Sequence, residues 1–320
     1  MRPLVPTRGY RANAAPVVAV VLMALFVSGC SGKRLVVNQV GNALAESGST
    51  FASDDDPELV RQAVPFSLKL MESLLAESPH HRRLLLATAS GFTQYAFAFV
   101  QQDADEAQEK DAAAATALEA RAKRLYLRAR NYGLHGLDVG YRGFSEALRD
   151  KPRVAVRVVR NRDVPLLFWT AAAWGSAIGL SKNNPDLIAD LPQVEALIDR
   201  ALELDEAWGR GALHGFLIAY EMNRVGAQGD PAERSRRHFA RAVELSNGQD
   251  AGPFVSFAES VCVQKQDLKQ FDALLEKALA INPDLDPEHR LVNLVMQRRA
   301  RWLKSRRDEL FLIPDSPQKP

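Results

Sequence analysis

After residue 56 the apolar positions fall at three- and four-residue spacings, the period of one face of a helix. Asp56-Pro57-Glu58 opens the first such run, with Asp as N-cap and Pro at the first helical position. Leu59, Val60, Ala63, Val64, Phe66, Leu70, Leu74 and Leu75 then repeat on one side until Ser78-Pro79 stops the helix. The same punctuation returns at Asn184-Pro185-Asp186, Asp230-Pro231-Ala232-Glu233 and Asp286-Pro287-Glu288, each before an amphipathic segment. The acidic run Asp54, Asp55, Asp56 lacks the alternating spacing and bidentate Glu of a calcium loop and reads as capping. Val154 to Val159 is the one β-branched run with near alternation, and Pro152 beside it predicts an irregular connection instead of a strand. The pattern predicts an all-α protein.

Three segments repeat one another: Val194-Glu-Ala-Leu-Ile-Asp-Arg-Ala201-Leu-Glu-Leu204, Ser235-Arg-Arg-His-Phe-Ala-Arg-Ala242-Val-Glu-Leu245 and Phe271-Asp-Ala-Leu-Leu-Glu-Lys-Ala278-Leu-Ala-Ile281. Each sets a bulky apolar residue (Ile198, Phe239, Leu275) three positions before an Ala that follows Arg or Lys. This is the second helix of a tetratricopeptide-type hairpin, where the large residue fills the seam and Ala lets helices approach. The three Ala lie 41 and then 36 residues apart, near the ~34-residue period and loosened by insertions such as 226–229. Ala129, 72 residues before Ala201, fits an earlier and more divergent hairpin. The expected architecture is a stack of about four such hairpins with flanking N- and C-terminal helices.

First helices of the pairs are expected over 84–100, 166–180, 211–223 and 254–265, rich in aromatic and small residues together. In stacked hairpins such helices line the concave face. The candidate ligand or partner groove is therefore Tyr95, Phe99, Phe168, Trp169, Trp174, His214, Tyr220, Glu221, Phe257 and Glu259. For any single aromatic, ordinary helix packing is the favoured reading. A carboxylate on an apolar helix must be paired, so Glu221 and Glu259 read as internal salt bridges between repeats or as ligand sites; Arg298 and Arg299, or Arg160 and Arg162, are candidate partners. Residues 101–120, Ala- and acid-rich, read as a solvated helix. The last helix, after Pro287, turns Leu291, Leu294, Val295, Trp302 and Leu303 inward and presents Arg298, Arg299, Arg301, Lys304, Arg306 and Arg307 as a solvated face.

The start of the chain has a different pattern. Arg2, Arg8 and Arg11 precede an apolar run from Ala14 to Val27, followed by Val27-Ser28-Gly29-Cys30. That order is a secretory signal ending in a lipid-attachment site, with Cys30 taking the diacylglycerol. Pro16 and the small, polar far end argue against a simple transmembrane anchor, which needs about 20 apolar residues. The expected divisions are a lipoprotein signal peptide at 1–29, a lipidated tether and loosely held segment at 30–55, a helical domain at 56–312 and a tail at 313–320. The expected location is the periplasm, tethered to a membrane, with either the inner or the outer membrane compatible with Ser31.

With Cys30 acylated, Cys262 is the one remaining thiol, so no intramolecular disulfide forms and stability rests on the core. At 47% apolar residues over 320 positions that core can be large. Lys and Arg total 41 against 39 Asp and Glu, a balance that gives no whole-protein field for nucleic acid. His80 and His81 are sequence neighbours, the other His are scattered, and no His-Glu-x-x-His pair occurs. There is no nucleophile elbow, phosphate loop or dinucleotide fingerprint, and Cys262 on an apolar helix reads as a small buried hydrophobe. The pattern predicts binding without catalysis, with no metal and no cofactor.

The stretches Arg128-Ala-Arg-Asn-Tyr-Gly-Leu, Asp163-Val-Pro-Leu-Leu-Phe-Trp169-Thr-Ala-Ala-Ala-Trp174-Gly, Arg200-Ala-Leu-Glu-Leu-Asp205-Glu and Asn293-Leu-Val-Met-Gln-Arg-Arg-Ala-Arg-Trp302, with the ending Asp308-Glu-Leu-Phe-Leu312, resemble one family. It is that of the tetratricopeptide lipoproteins associated with tripartite ATP-independent periplasmic (TRAP) transporters, the T component. The resemblance runs from about Arg34 to Leu312. It implies four divergent hairpins with flanking helices, a homotrimer, docking of the periplasmic solute-binding P component, and a cleft through which a small organic ligand passes or in which it lodges. A scaffold lipoprotein that assembles envelope complexes without a small-molecule ligand is the alternative.

Overall fold

The structure, a computed structural model, describes residues 39–44 and 48–312. The signal segment, Cys30 and the tail 313–320 lie outside the described residues. Asp56 caps α1 (Pro57–Glu77) as its spacing predicts: its carboxylate accepts from the backbone N–H groups of Glu58 and Leu59 at 3.0 Å each. The chain continues through α2 (Arg82–Tyr95), α3 (Ala112–Gly140), α4 (Val164–Gly179), α5 (Leu191–Leu204), α6 (Ala212–Tyr220), α7 (Pro231–Leu245), α8 (Ala251–Phe257), α9 (Leu268–Ala280) and α10 (Arg290–Ser305). No strand occurs among the described residues, and none of their helices is long and apolar enough to cross a membrane.

Chain neighbours pack on each other: α2 on α3, α4 on α5, α6 on α7 and α8 on α9, with α1 against α2 and α10 against α8 and α9. The alanines that carry the repeat signal, Ala129, Ala201, Ala242 and Ala278, are all buried, as are Ile198 and Leu275. Small residues set the closest approach, between α3 and α4. A methyl group added at Gly133 would meet the Thr170 hydroxyl at 2.1 Å, and one at Gly136 would meet Leu166 at 2.8 Å. Fully buried Ala173 and Ala177 continue that contact on the α4 side, where long side chains would hold the helices apart.

Four sequence expectations are corrected in detail. Residues 101–120 are not one solvated helix. Gln102 and Ala104 are buried, the chain turns at 108–111, and Asp111 caps α3, accepting from the backbone of Ala114 at 2.9 Å. Asn184 caps a single turn, Pro185–Ile188, before α5 begins at Leu191. Asp286 precedes a 3₁₀ turn, and its carboxylate turns to Arg210 and His289. On α10, Arg298 and Arg299 point into the protein and not to solvent, because four carboxylates face them there.

The last of these closes the stack. A one-turn helix, Gly48–Ala52, packs on α10, and Arg290 donates to the Ser53 carbonyl at 2.8 Å. An early segment of the described chain therefore meets its last long helix.

Candidate functional site

Two helices do not end where their regular part does. α2 runs on through a π-helical turn, Ala96–Gln101, into Gln102–Ala107, and α8 runs on through a second, Ala258–Cys262, into Val263–Lys265. A π turn inserts one residue and re-aims the side chains that follow, a distortion common at functional sites. Both turns border the same place. Phe97 and Gln101 from the first, Gln102 and Asp105 just after it, Glu259 from the second and Arg299 from α10 line a cavity of about 120 Å³.

Arg299 organises it. Its guanidinium donates to Asp105 at 2.5 Å and to both oxygens of Glu259, the Nε contact at 3.2 Å, and lies 4.2 Å from the centre of the Trp302 ring. Burial pushes the Asp105 carboxyl above its ordinary range, and Arg299 counters this only partly because Glu259 shares its charge. One step outward, Arg298 binds Asp103 at 2.8 Å and Glu106 at 2.7 Å, and Arg61 of α1 also grips Asp103. Burial opposes ionisation of Asp103 as well, but hydrogen bonds from Arg61 and Arg298 bring it below the ordinary value. Tyr126 on α3, wholly buried, donates to Gln101 at 2.6 Å and ties the first π turn to the core.

The cavity thus offers two amides, two carboxylates, one guanidinium and the half-exposed ring of Phe97. That set can hold a small solute bearing both donors and acceptors. Burial pushes the Cys262 thiol, on the second π turn, up to about 12, which favours its protonated form.

Of the ten predicted groove residues, Glu259 borders this cavity, and Tyr95 and Phe99 stand on the helix that forms one wall, their rings 5.6 Å apart and buried. The other seven lie elsewhere. Phe168 packs edge-on to Trp169 at 4.9 Å and beside Trp208 at 5.0 Å. Trp174 donates its indole N–H to Asp190 at 3.1 Å beneath Arg130. Tyr220 stacks on Phe216 at 5.4 Å and reaches Glu195 at 3.2 Å. Phe257 is fully buried against Phe239, ring centres 4.8 Å apart. His214 meets His238 with their Nδ1 atoms 2.8 Å apart. Glu221 is gripped by Arg234 at 2.5 Å and Arg224 at 2.9 Å.

Arg298 and Arg299 are the partners that the sequence puts forward for buried carboxylates. Phe97 is one of the aromatics that the sequence places on the 84–100 helix, outside the predicted groove set, whereas Gln101, Gln102 and Asp105 are missing from the predicted site. The one available signal is the apolar-to-acidic change at Val100-Gln-Gln-Asp-Ala-Asp-Glu106, which resembles a helix emerging into solvent.

A family model described as "TRAP transporter T-component" matches residues 53–311, which is almost all of the described helical body. An uncharacterised protein of Treponema pallidum (strain Nichols) is 28% identical over 306 residues, covering 90% of this chain and 95% of that protein.

Proposed function

The chain belongs to the TRAP transporter T-component family, and from that premise we propose that it is a lipid-tethered periplasmic accessory of such a transporter, docking the solute-binding P component. In this reading Cys30 carries the lipid, the helical body reaches into the periplasm as a homotrimer, and a small organic ligand is held or passed at the crevice between the two π turns. The observation that carries the reading is the family match across the whole helical body. The cavity around Arg299 supports the ligand part, because polar groups converge there on a space that several waters or a small solute would fill.

A second reading has its own support. Phe168, Trp174 and Phe257 are buried in cores, and the crevice at about 120 Å³ is small beside the ~300–1,000 Å³ of most ligand sites. Both facts favour a scaffold that binds proteins and no small molecule.

The test is to purify the full chain in detergent with the solute-binding protein encoded beside it, and to analyse the complex by mass spectrometry under native and denaturing conditions. A stable complex that carries an additional small molecule bears out the whole reading. A complex without one supports the docking role and removes the ligand part, and the absence of any complex at low and moderate salt removes the transporter-docking role and selects the scaffold reading.

A further inference from the structure

The segment between α3 and α4 carries a concentration of charge that the crevice does not use. From Lys151 to Arg162 it contains Lys151, Arg153, Arg157, Arg160 and Arg162 and no acidic residue. Ala155, Val156 and Val159 are buried and fix the segment to the core, while Arg153, Val154, Arg157, Val158 and Arg160 face solvent. It is also pinned along α5, where Arg200 donates to the Val159 carbonyl at 3.2 Å and Asn161 to the Leu204 carbonyl at 3.1 Å. The backbone is therefore preorganised, and little ordering entropy would be lost on binding.

Between this segment and α5 runs a cleft of about 340 Å³. Arg153 and Arg157 form one wall; Asp199, Arg200 and Glu203 form the other. The carboxylates are already engaged, Asp199 by Arg224 at 2.5 Å and Glu203 by Arg200 at 2.9 Å. Among the described residues Arg153, Arg157 and Arg160 have no ion pair, in contrast to Arg61, Arg224, Arg234, Arg298 and Arg299, which carboxylates hold. The buried Nε of Arg200 also lacks a hydrogen-bond partner. Val154 and Val158, one helical turn apart and each 54% exposed, add an apolar strip beside the free guanidinium groups. Arginine next to exposed apolar surface is the usual composition of a protein interface.

We propose that Arg153, Arg157 and Arg160, with Val154, Val158 and the adjoining cleft, form a docking surface for an acidic protein face, and that this face belongs to the solute-binding component. The inference rests on the docking reading above and adds to it the surface and its charge. An anionic membrane is the poorer match, since the cations border a walled cleft with carboxylates on its far side, and valines stand where interfacial Trp or Tyr would be expected.

The test measures affinity of the full chain in detergent for the neighbouring solute-binding protein at low and moderate salt. R153E/R157E/R160E is compared with a control of equal charge change, K269E/K277E/R301E, whose residues are exposed and outside any ion pair among the described residues. A lysine triple, R153K/R157K/R160K, retains the charge, and circular dichroism verifies folding of each variant. The expected result is a loss of about tenfold or more for the glutamate triple, with near wild-type binding for the lysine triple and the control, and a wild-type affinity that falls with salt. Unchanged binding of the glutamate triple, or equal loss in the control, overturns the surface and leaves the docking reading standing. Absence of a wild-type complex overturns both. Binding to phosphatidylglycerol vesicles that the glutamate triple loses, with protein binding intact, assigns the face to the membrane and overturns the proposal.

Discussion

Glu221 closes α6 and Glu259 stands in the π turn that continues α8, two carboxylates on otherwise apolar helices with arginines for partners. Around Glu221 every group is enclosed. Its side chain is 4% exposed, Arg234 and Arg224 grip both oxygens, and Arg234 spends its remaining donors on the carbonyls of Glu221, Gln228 and Gly229. The insertion at 226–229 that loosens the repeat spacing is thereby bound to α7. Glu259 is 37% exposed, shares one arginine with Asp105 and borders a cavity. A saturated network is a fastener, whereas one left open can exchange partners. Residue type and helix context do not separate the two; enclosure does.

The strongest way to break this comparison is to truncate both. Glu221→Ala leaves the buried Arg234 without its carboxylate, while Arg224 keeps Asp199 and Glu195, and removing one partner of a buried pair costs about 3–5 kcal/mol. A melting temperature lower by about 10 °C is expected in thermal unfolding. Glu259→Ala, with solvent to take its place, is expected to cost under about 1 kcal/mol. Equal losses at the two positions would mean that the crevice is as structural as the α6 joint.

How far this was legible follows from the same contrast. Ala129, Ala201, Ala242 and Ala278 could be found because burial against a neighbouring helix leaves a periodic trace in the chain itself. The helix starts at Pro57 and Pro231 could be read because first-turn signals are local; Asp56 caps its helix with its carboxylate, whereas the Asp230 side chain makes no capping bond and pairs with Lys265. The crevice depends on contacts between Asp105 and Arg299, nearly two hundred residues apart, and on π turns whose sequences, Ala96-Phe-Ala-Phe-Val-Gln101 among them, look like ordinary helix. The aromatics of α4, α6 and α8 were visible, but their distribution over separate cores was not, because helical period gives a side and not the neighbour on that side.

The α6–α7 joint is expected to respond to acid. His214 and His238 meet there, and burial together with His214 pushes His238 down to about 4, while burial lowers His214 against the pull of Glu206. A depressed His favours the neutral folded state, so its contribution is complete above the ordinary value of 6.5 and is lost as pH falls from there towards 4. A loss on the order of 2 kcal/mol over that range is expected in urea midpoints. The His238→Gln variant should show a visibly flatter profile between those limits. If both proteins lose stability in parallel, the histidine pair is not the acid-sensitive element of the joint.

Arg299→Met is expected to cost about 1–2 kcal/mol, less than the Glu221 truncation, because Asp105 and Glu259 can turn to water once their shared cation is gone. A methionine side chain preserves the contact with Trp302, which separates lost charge from lost packing. If the variant melts more than about 10 °C below wild type, Arg299 fastens the two π-turn helices to α10 as Arg234 fastens the loop, and the crevice is closed in function as well as in form.

The smallest expected effect has an informative sign. Glu221 and Asp105 are both buried carboxylates near arginines, yet burial is overcome at Glu221 by Arg234 and Arg224, which bring it below the ordinary 4.5, and prevails at Asp105, held above the ordinary 3.8. Stability from Glu221 is present above its ordinary value and lost as pH falls through the depressed one. Asp105 has the opposite dependence: its folded form holds the proton more tightly, so its contribution is best in acid and is lost as pH rises through the raised value. Glu221→Gln should therefore lose ground to wild type as pH rises from about 3 to 6, whereas Asp105→Asn should gain, within about 1 kcal/mol. Difference curves from urea unfolding across that range isolate each carboxylate from the rest. If both variants drift the same way, Arg299 serves Asp105 as fully as Arg234 serves Glu221, and the charge left open at the crevice is not there.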